Sequence, residues 1–277
     1  MDHEHFLIER LRSDYIGDDG AVIGTQVFSV DAFCEGTHFR REWMRPEQIG
    51  RKAMLVNLSD AVAMNADPRY ALLSVGLPPE MPREAIARMM DAIEATAAEW
   101  GCELIGGDTV RSDRLNLSIT LIAHSDDPLL RTGVRVGDWL AYTGTLGESL
   151  RDLRRLEAGE KIAPDSRFFE PHLRREFVRQ ARPLLHAGMD ISDGLFCDAN
   201  RLLDRHKYGR EILKNIKPDE GHSGEEYEML IAFDPEHHSA LEAIAHACRT
   251  PLTVFAQVLP PQGGDTERFP CRSHHFG

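Results

Sequence analysis

The chain has 277 residues, of which 42% are hydrophobic and 28% charged, with a formal net charge of -13. That length suits two α/β halves of ~100–150 residues each better than one core. The acidic excess excludes nucleic acid as a partner, since phosphate backbones are bound by clustered Lys and Arg, and an anionic ligand here would need metal ions as intermediaries.

No run of ~18 uncharged apolar residues occurs, so no membrane span is expected, and the N-terminal MDHEHFLIERLRSDY is too charged for a secretory signal. A cytoplasmic location follows as the expectation. The five cysteines, Cys34, Cys102, Cys197, Cys248 and Cys271, are scattered and never spaced as CxxC, which predicts reduced thiols with neither a disulfide framework nor a structural zinc site.

In chain order, TQVFSVDAF, RYALLSVGL, CELIGG and LNLSITLIAHS alternate or run apolar as strands do. Helical patterns lie between them at Pro46–Asn65 and Pro82–Trp100, the second opening on a proline and closing at Gly101. The turn-rich DDPLLRTGVRVGD connects to a second half, giving predicted domains over 1–126 and 127–277. There the strand DWLAYTG precedes helical stretches at 148–157 and 171–187, then MDISDGLFCDANRLLDR. Strands near 211–216 and 227–233, a helix over 236–248 and a strand over 252–259 complete an α/β (α+β) chain.

The familiar nucleotide and hydrolase motifs are missing: no GxxxxGK[ST], no GxGxxG opening a helix, no HExxH and no GxSxG. What remains is a set of aspartates at element ends: Asp18 and Asp19, Asp31, Asp108 after Gly106 and Gly107, and Asp190 and Asp193. Several have ordinary readings, Asp18 and Asp19 as turn residues and Asp193 as the N-cap of a helix beginning near Gly194. Asp60 is harder to place. It falls mid-helix in the stripe Ile49, Ala53, Val56, Asp60, Ala63, where an ionised carboxylate needs a cation, a hydrogen-bond cage or water. Arg51 and Lys52 lie on other faces of that helix. Together the carboxylates suit hard cations such as Mg²⁺ around a polyphosphate, and so metal-dependent phosphoryl chemistry.

The segments GDDGAV, SVDAFCEGTHF, NLSDAVAMNADP, LIGGDT, RTGVRVGDW, MDISDGL and GEEYEML, in this order from about Tyr15 to Leu230, resemble the thiamine-monophosphate kinases. That family shares a superfamily with aminoimidazole ribonucleotide and selenophosphate synthetases. The resemblance implies a two-domain PurM-like α/β fold whose N-terminal halves pair in a homodimer. It also implies ATP-dependent phosphorylation of thiamine monophosphate to thiamine diphosphate, with several Mg²⁺ ions and direct transfer. Asp19, Ser29, Val30, Asp31, Asp60, Asp108, Asp190 and Asp193 would ligate metal, Val30 through its carbonyl because relatives often carry Ser or Thr there. Gly107, Asp108, Arg131 and Ser192 would face the nucleotide, and His38 and Glu225 the thiamine monophosphate. Asp60, Asp108, Arg131 and Asp190 would carry the catalysis. Four positions depart from the family pattern: Asn65 for glycine, Glu226 for aspartate, Met90 for an aromatic near the base, and Ser273 for an aromatic in the tail. The alternatives are a superfamily enzyme with another acceptor, or a relative that binds nucleotide and metal without turnover.

Overall fold

The computed structural model describes residues 3–8, 10–261 and 268–271. Ser273 therefore lies outside the described residues. A short helix α1 (His3–Ile8) leads into β1 (Ala21–Ile23), β2 (Gln26–Cys34), α2 (Pro46–Ala63), β3 (Asp67–Leu77), α3 (Arg83–Glu99), β4 (Glu103–Arg111) and β5 (Asn116–His124). These strands form one sheet in the order β1-β2-β5-β3-β4, antiparallel except for the β3–β4 pair that α3 connects.

The second sheet comes from β6 (Trp139–Thr143), then after α4 (Glu148–Glu157) and α5 (Arg175–Ala181) from β7 (Ala187–Asp190). It continues after α6 (Leu195–Asp204) with β8 (Gly209–Ile212), and after α7 (Pro218–Gly221) with β9 (Met229–Phe233). Last come α8 (His238–Ala247) and β10 (Leu252–Leu259), giving the order β7-β9-β6-β10-β8.

Helix α2 joins the halves. Pro46 preorganises its first turn, and the Gln48 side chain accepts the Arg45 N–H at 3.0 Å, filling one of the orphan positions of a helix start. Its end is set by Asn65, which adopts φ 51° and donates from Nδ2 to the Asp127 carbonyl at 3.0 Å. Asparagine is, after glycine, the residue best suited to this left-handed stop. Between these ends α2 is buried on nearly every side, as expected of a helix that is apolar around its circumference. Its face toward the first sheet packs Met54, Leu58 and Ala61 against Val27, Phe33 and Leu117, while Val62 and Ala63 enter a core with Phe177, Met229 and Phe233 of the second half. Gly50 lets α3 approach, since a Cβ there would stand 2.2 Å from the Met89 carbonyl oxygen.

Two expectations are corrected. The predicted helix over 171–187 shrinks to α5 and a 3₁₀ turn (Arg182–Leu184), because Pro183 cannot continue an α-helix, and the residues that follow become the buried strand β7. The cysteines are not all reduced: Cys197 on α6 is bonded to Cys271, while Cys34, Cys102 and Cys248 are free. The bond returns the chain end to α6 across 74 residues, beside Phe269, which stacks on Phe196 and exchanges backbone hydrogen bonds with the Asn200 side chain. Spacing along the chain carries no sign of such a return.

Candidate active site

A cavity of about 1090 Å³ opens beside α2 and draws its walls from both halves. The loop before β1 supplies Asp18 and Asp19, β2 supplies Val30 and Asp31, and α2 supplies Asp60. The second half supplies Arg131, Asp190 at the end of β7, Ser192 and Asp193 before α6, and Glu225 and Tyr227 before β9. The strand period of two explains the β2 contribution: Val27, Ser29, Asp31 and Phe33 share the face toward α2. There the Asn57 side chain accepts the Asp31 N–H at 3.1 Å and the Ser29 side chain bonds to Asp60. Val30 points the other way and is 61% exposed.

Asp19, Asp60 and Asp190 each bring one carboxylate oxygen to within 4.8 Å of the others. Asp19 pairs with the Arg131 guanidinium through Oδ1, and its buried Oδ2 has no partner among the described residues. Asp18 accepts the Arg131 N–H, and Asp190 accepts the Ser59 hydroxyl at 2.6 Å. Like charges this close resist ionising together. Burial, reinforced by Asp31, Asp190 and Asp19, pushes Asp60 well above the usual carboxylate range. Burial and then Asp19 do the same to Asp190. Burial raises Asp18 to about 6 against the opposing Arg131 N–H, and raises Asp19 despite Arg131. For Arg131 burial favours the neutral form, but the Asp19 charge and hydrogen bond outweigh it and leave the guanidinium more firmly charged. An orphaned buried carboxylate oxygen beside two converging carboxylates is the donor set of a hard dication, so these residues fit Mg²⁺.

Asp193 is not a helix cap. Gly194 takes that position for α6, while the Asp193 carboxylate pairs with Arg201 and its N–H donates to Asp198 Oδ2 at 3.1 Å. Burial, opposed by Arg201, raises Asp198 to about 7.

Also lining the cavity, the His38 ring is stacked on Phe33, and its Nδ1 accepts the Cys34 N–H at 2.9 Å, which places the proton of a neutral ring on Nε2. Glu225 takes φ 53° and Tyr227 φ 52°, a costly conformation for side chains of this size. What holds them is a lattice behind the loop. Glu226, fully buried, accepts the Gly147 and Ser149 N–H groups and the Ser223 hydroxyl. Its neighbour Glu228 pairs with Arg167 and Arg174. The Glu226 carboxylate is thus fully engaged.

Gly107 and Asp108 do not line this cavity. Strand β4 is separated from β2 by β5 and β3, and Asp108 pairs with Ser74 at an exposed position of β3. Both line a second, apolar groove of about 440 Å³ with Met90, Leu73 and Leu104. Gly107 has a packing reason to be glycine, because a Cβ would meet the Leu73 carbonyl oxygen at 1.8 Å. Tyr227 and Arg201 line the cavity and Lys52 pairs with its Glu225, and the sequence marks none of the three as a site residue. Lys52 is fully buried and pairs with Glu225 rather than Asp60.

The model for the N-terminal domain of AIR synthase related proteins matches residues 17–124. The thiamine-monophosphate kinase of Aquifex aeolicus is 34% identical over 218 residues, covering 75% of this chain and 71% of the relative. The chain belongs to the thiamine-monophosphate kinase family. The kinase of Leptospira interrogans agrees, at 32% identity over 86% of this chain and 81% of its own. A solved structure described as AaThiL complexed with AMPPCP and TMP superposes with a TM-score of 0.82 at 26% identity, covering 96% of this chain and 95% of that one. The two-sheet α/β architecture is thus that of the thiamine-monophosphate kinases.

Proposed function

We propose that this chain transfers the γ-phosphoryl group of ATP directly to the phosphate of thiamine monophosphate, giving thiamine diphosphate and ADP. The observation that carries the reading is the convergence of Asp19, Asp60 and Asp190 beside Arg131 in a cavity that His38 and Glu225 also line. Family membership supports it, and the relative solved with AMPPCP and TMP supports both substrates.

Asp19, Asp31, Asp60, Asp108, Asp190 and Asp193, the Ser29 hydroxyl and the Val30 carbonyl would hold the ions. Bound Mg²⁺ supplies charge neutralisation and alignment of the two phosphates. Arg131, held by Asp18 and Asp19, places a permanent cation where charge accumulates, and Ser192 orients the nucleotide. His38 donates from Nε2 and Glu225 accepts, which suits the aminopyrimidine of the acceptor. The acceptor oxygen is already anionic, so no general base is required.

The reading includes a homodimer of a cytoplasmic enzyme. The first sheet exposes Val30, Tyr70, Leu72, Ile105 and Val110, apolar surface that a second copy would cover. One outward row runs Val30, Thr120, Leu72, Gly106 across β2, β5, β3 and β4. In such a homodimer Asp108, which stands away from its own cavity, would serve the site of the other subunit.

Incubation with ATP, Mg²⁺ and thiamine monophosphate, followed by chromatography of the thiamine phosphates, tests the proposal. Thiamine diphosphate that disappears on chelation supports it. Magnesium-dependent ATP binding with no product contradicts it.

A further inference from the structure

Lys52 sits on α2 with its side chain wholly buried, and its Nζ lies 2.6 Å from Glu225 Oε2. The ammonium stands 4.2 Å from the ring centroid of Phe168 and 5.7 Å from that of Phe33. Aromatic faces are among the few apolar surroundings that favour a cation, so these rings hold the amine without competing for its hydrogen bonds. The pair spans 173 residues and joins the helix that carries Asp60 to the loop that carries Glu225.

That loop is anchored without Lys52. The Glu225 N–H donates to the Ser192 carbonyl at 2.7 Å, and its own carbonyl accepts the Ser149 hydroxyl at 2.9 Å. The backbone is therefore fixed by other groups, and the ammonium acts on the side chain. Glu225 itself remains 24% exposed and lines the cavity with His38. A buried ion pair tends to return little net stability, which makes a role in orientation more economical than one in folding.

We propose that Lys52 is a positioning residue for the acceptor: it pins Glu225 Oε2 so that Oε1 faces the cavity as a hydrogen-bond acceptor for the substrate's aminopyrimidine. The proposal rests on the thiamine monophosphate reading above. It predicts that acceptor recognition depends on a residue that does not touch the acceptor, while the nucleotide end of the cavity is indifferent to it.

The test is steady-state kinetics of wild type, Lys52→Met, Lys52→Arg, Glu225→Gln and the Lys52→Met/Glu225→Gln double variant. Lys52→Met is expected to raise KM for thiamine monophosphate by about 10- to 100-fold while KM for ATP stays within about twofold and kcat falls less than KM rises. Lys52→Arg should recover part of the loss, and the double variant should match Glu225→Gln. A parallel change in both KM values, or an unchanged KM for thiamine monophosphate, overturns the proposal. Should Lys52→Met fail to fold, the double variant leaves neither charge unpaired. Its KM for thiamine monophosphate then decides, supporting the proposal if equal to that of Glu225→Gln and overturning it if raised further. Wild type without kinase activity would instead refute the functional reading; an active wild type with these variants at odds refutes only the role of Lys52.

Discussion

Asp60→Asn separates stability from activity in opposite directions. In the metal-free protein Asp60 faces Asp19 and Asp190 with carboxylate oxygens within 4.8 Å, and no cation among the described residues pairs with it directly. Two unit charges at that distance repel by about 3 kcal/mol at an effective dielectric of about 20. Proton uptake by the raised carboxylates and solvent in the open cavity reduce this, leaving roughly 1–3 kcal/mol of repulsion for the amide to relieve. For a chain of this size that corresponds to a melting temperature about 2–10 °C higher without metal at pH 8. The same change removes a ligand from the charge-neutralising site, so kcat should fall by about 10²–10³-fold or more, and the stabilisation that Mg²⁺ gives the wild type should shrink. Differential scanning fluorimetry with and without Mg²⁺, beside the kinase assay, reads all three. A variant that is less stable than wild type without metal, or that retains full activity, refutes the reasoning.

Protons should compete with Mg²⁺. Burial raises Asp18 to about 6 and raises Asp19, Asp60 and Asp190 above the usual carboxylate range as well, so the protonated forms of all four grow as pH falls. In the metal-free protein a raised carboxylate contributes stability that is fully present below its unfolded pKa and is lost as pH rises from there through its folded pKa. Mg²⁺ should therefore stabilise the protein more at pH 8 than at pH 5.5, with protons released on binding, and equal melting shifts at both pH values would contradict this. If Asp108 serves the partner's site, equal amounts of Asp60→Asn and Asp108→Asn, each inactive alone, should on subunit exchange recover about a quarter of wild-type activity, since half the dimers are mixed and each holds one intact site. No recovery after verified exchange would place Asp108 in its own subunit's site or in neither. Gly50→Ala should cost about 1–3 kcal/mol by forcing α2 from α3, and an unchanged denaturation midpoint would show that the 2.2 Å approach relaxes freely.

Much of this was legible in the chain because long elements carry redundant signals. Helices α2 and α3 combine a proline start, an apolar pattern and a left-handed stop at Asn65 or Gly101, and the strands of the first sheet are nine or more residues long except β1. Strand β7 was lost because four buried residues, AGMD, have no visible period and follow a helical pattern. The carboxylates stood out singly, since a charge in an apolar stripe demands a partner, yet their convergence is a property of two sheets meeting around α2. Lys52 was invisible for the complementary reason: its partner, Glu225, is distant in sequence and reads alone as a surface residue. The Cys197–Cys271 bond and the role of Gly194 at the start of α6 likewise follow from three-dimensional return of the chain and from local backbone geometry.

The central claim is direct transfer between phosphates held by the carboxylate cluster. A single turnover of ATP labelled in its γ-phosphate, with enzyme in excess over nucleotide and Mg²⁺ and thiamine monophosphate present, tests it most directly. The account predicts that the label appears in the terminal phosphate of thiamine diphosphate as fast as ADP forms, with none retained on the protein at any time. Label bound to the protein before product forms, or released as inorganic phosphate while thiamine monophosphate is unchanged, would contradict it.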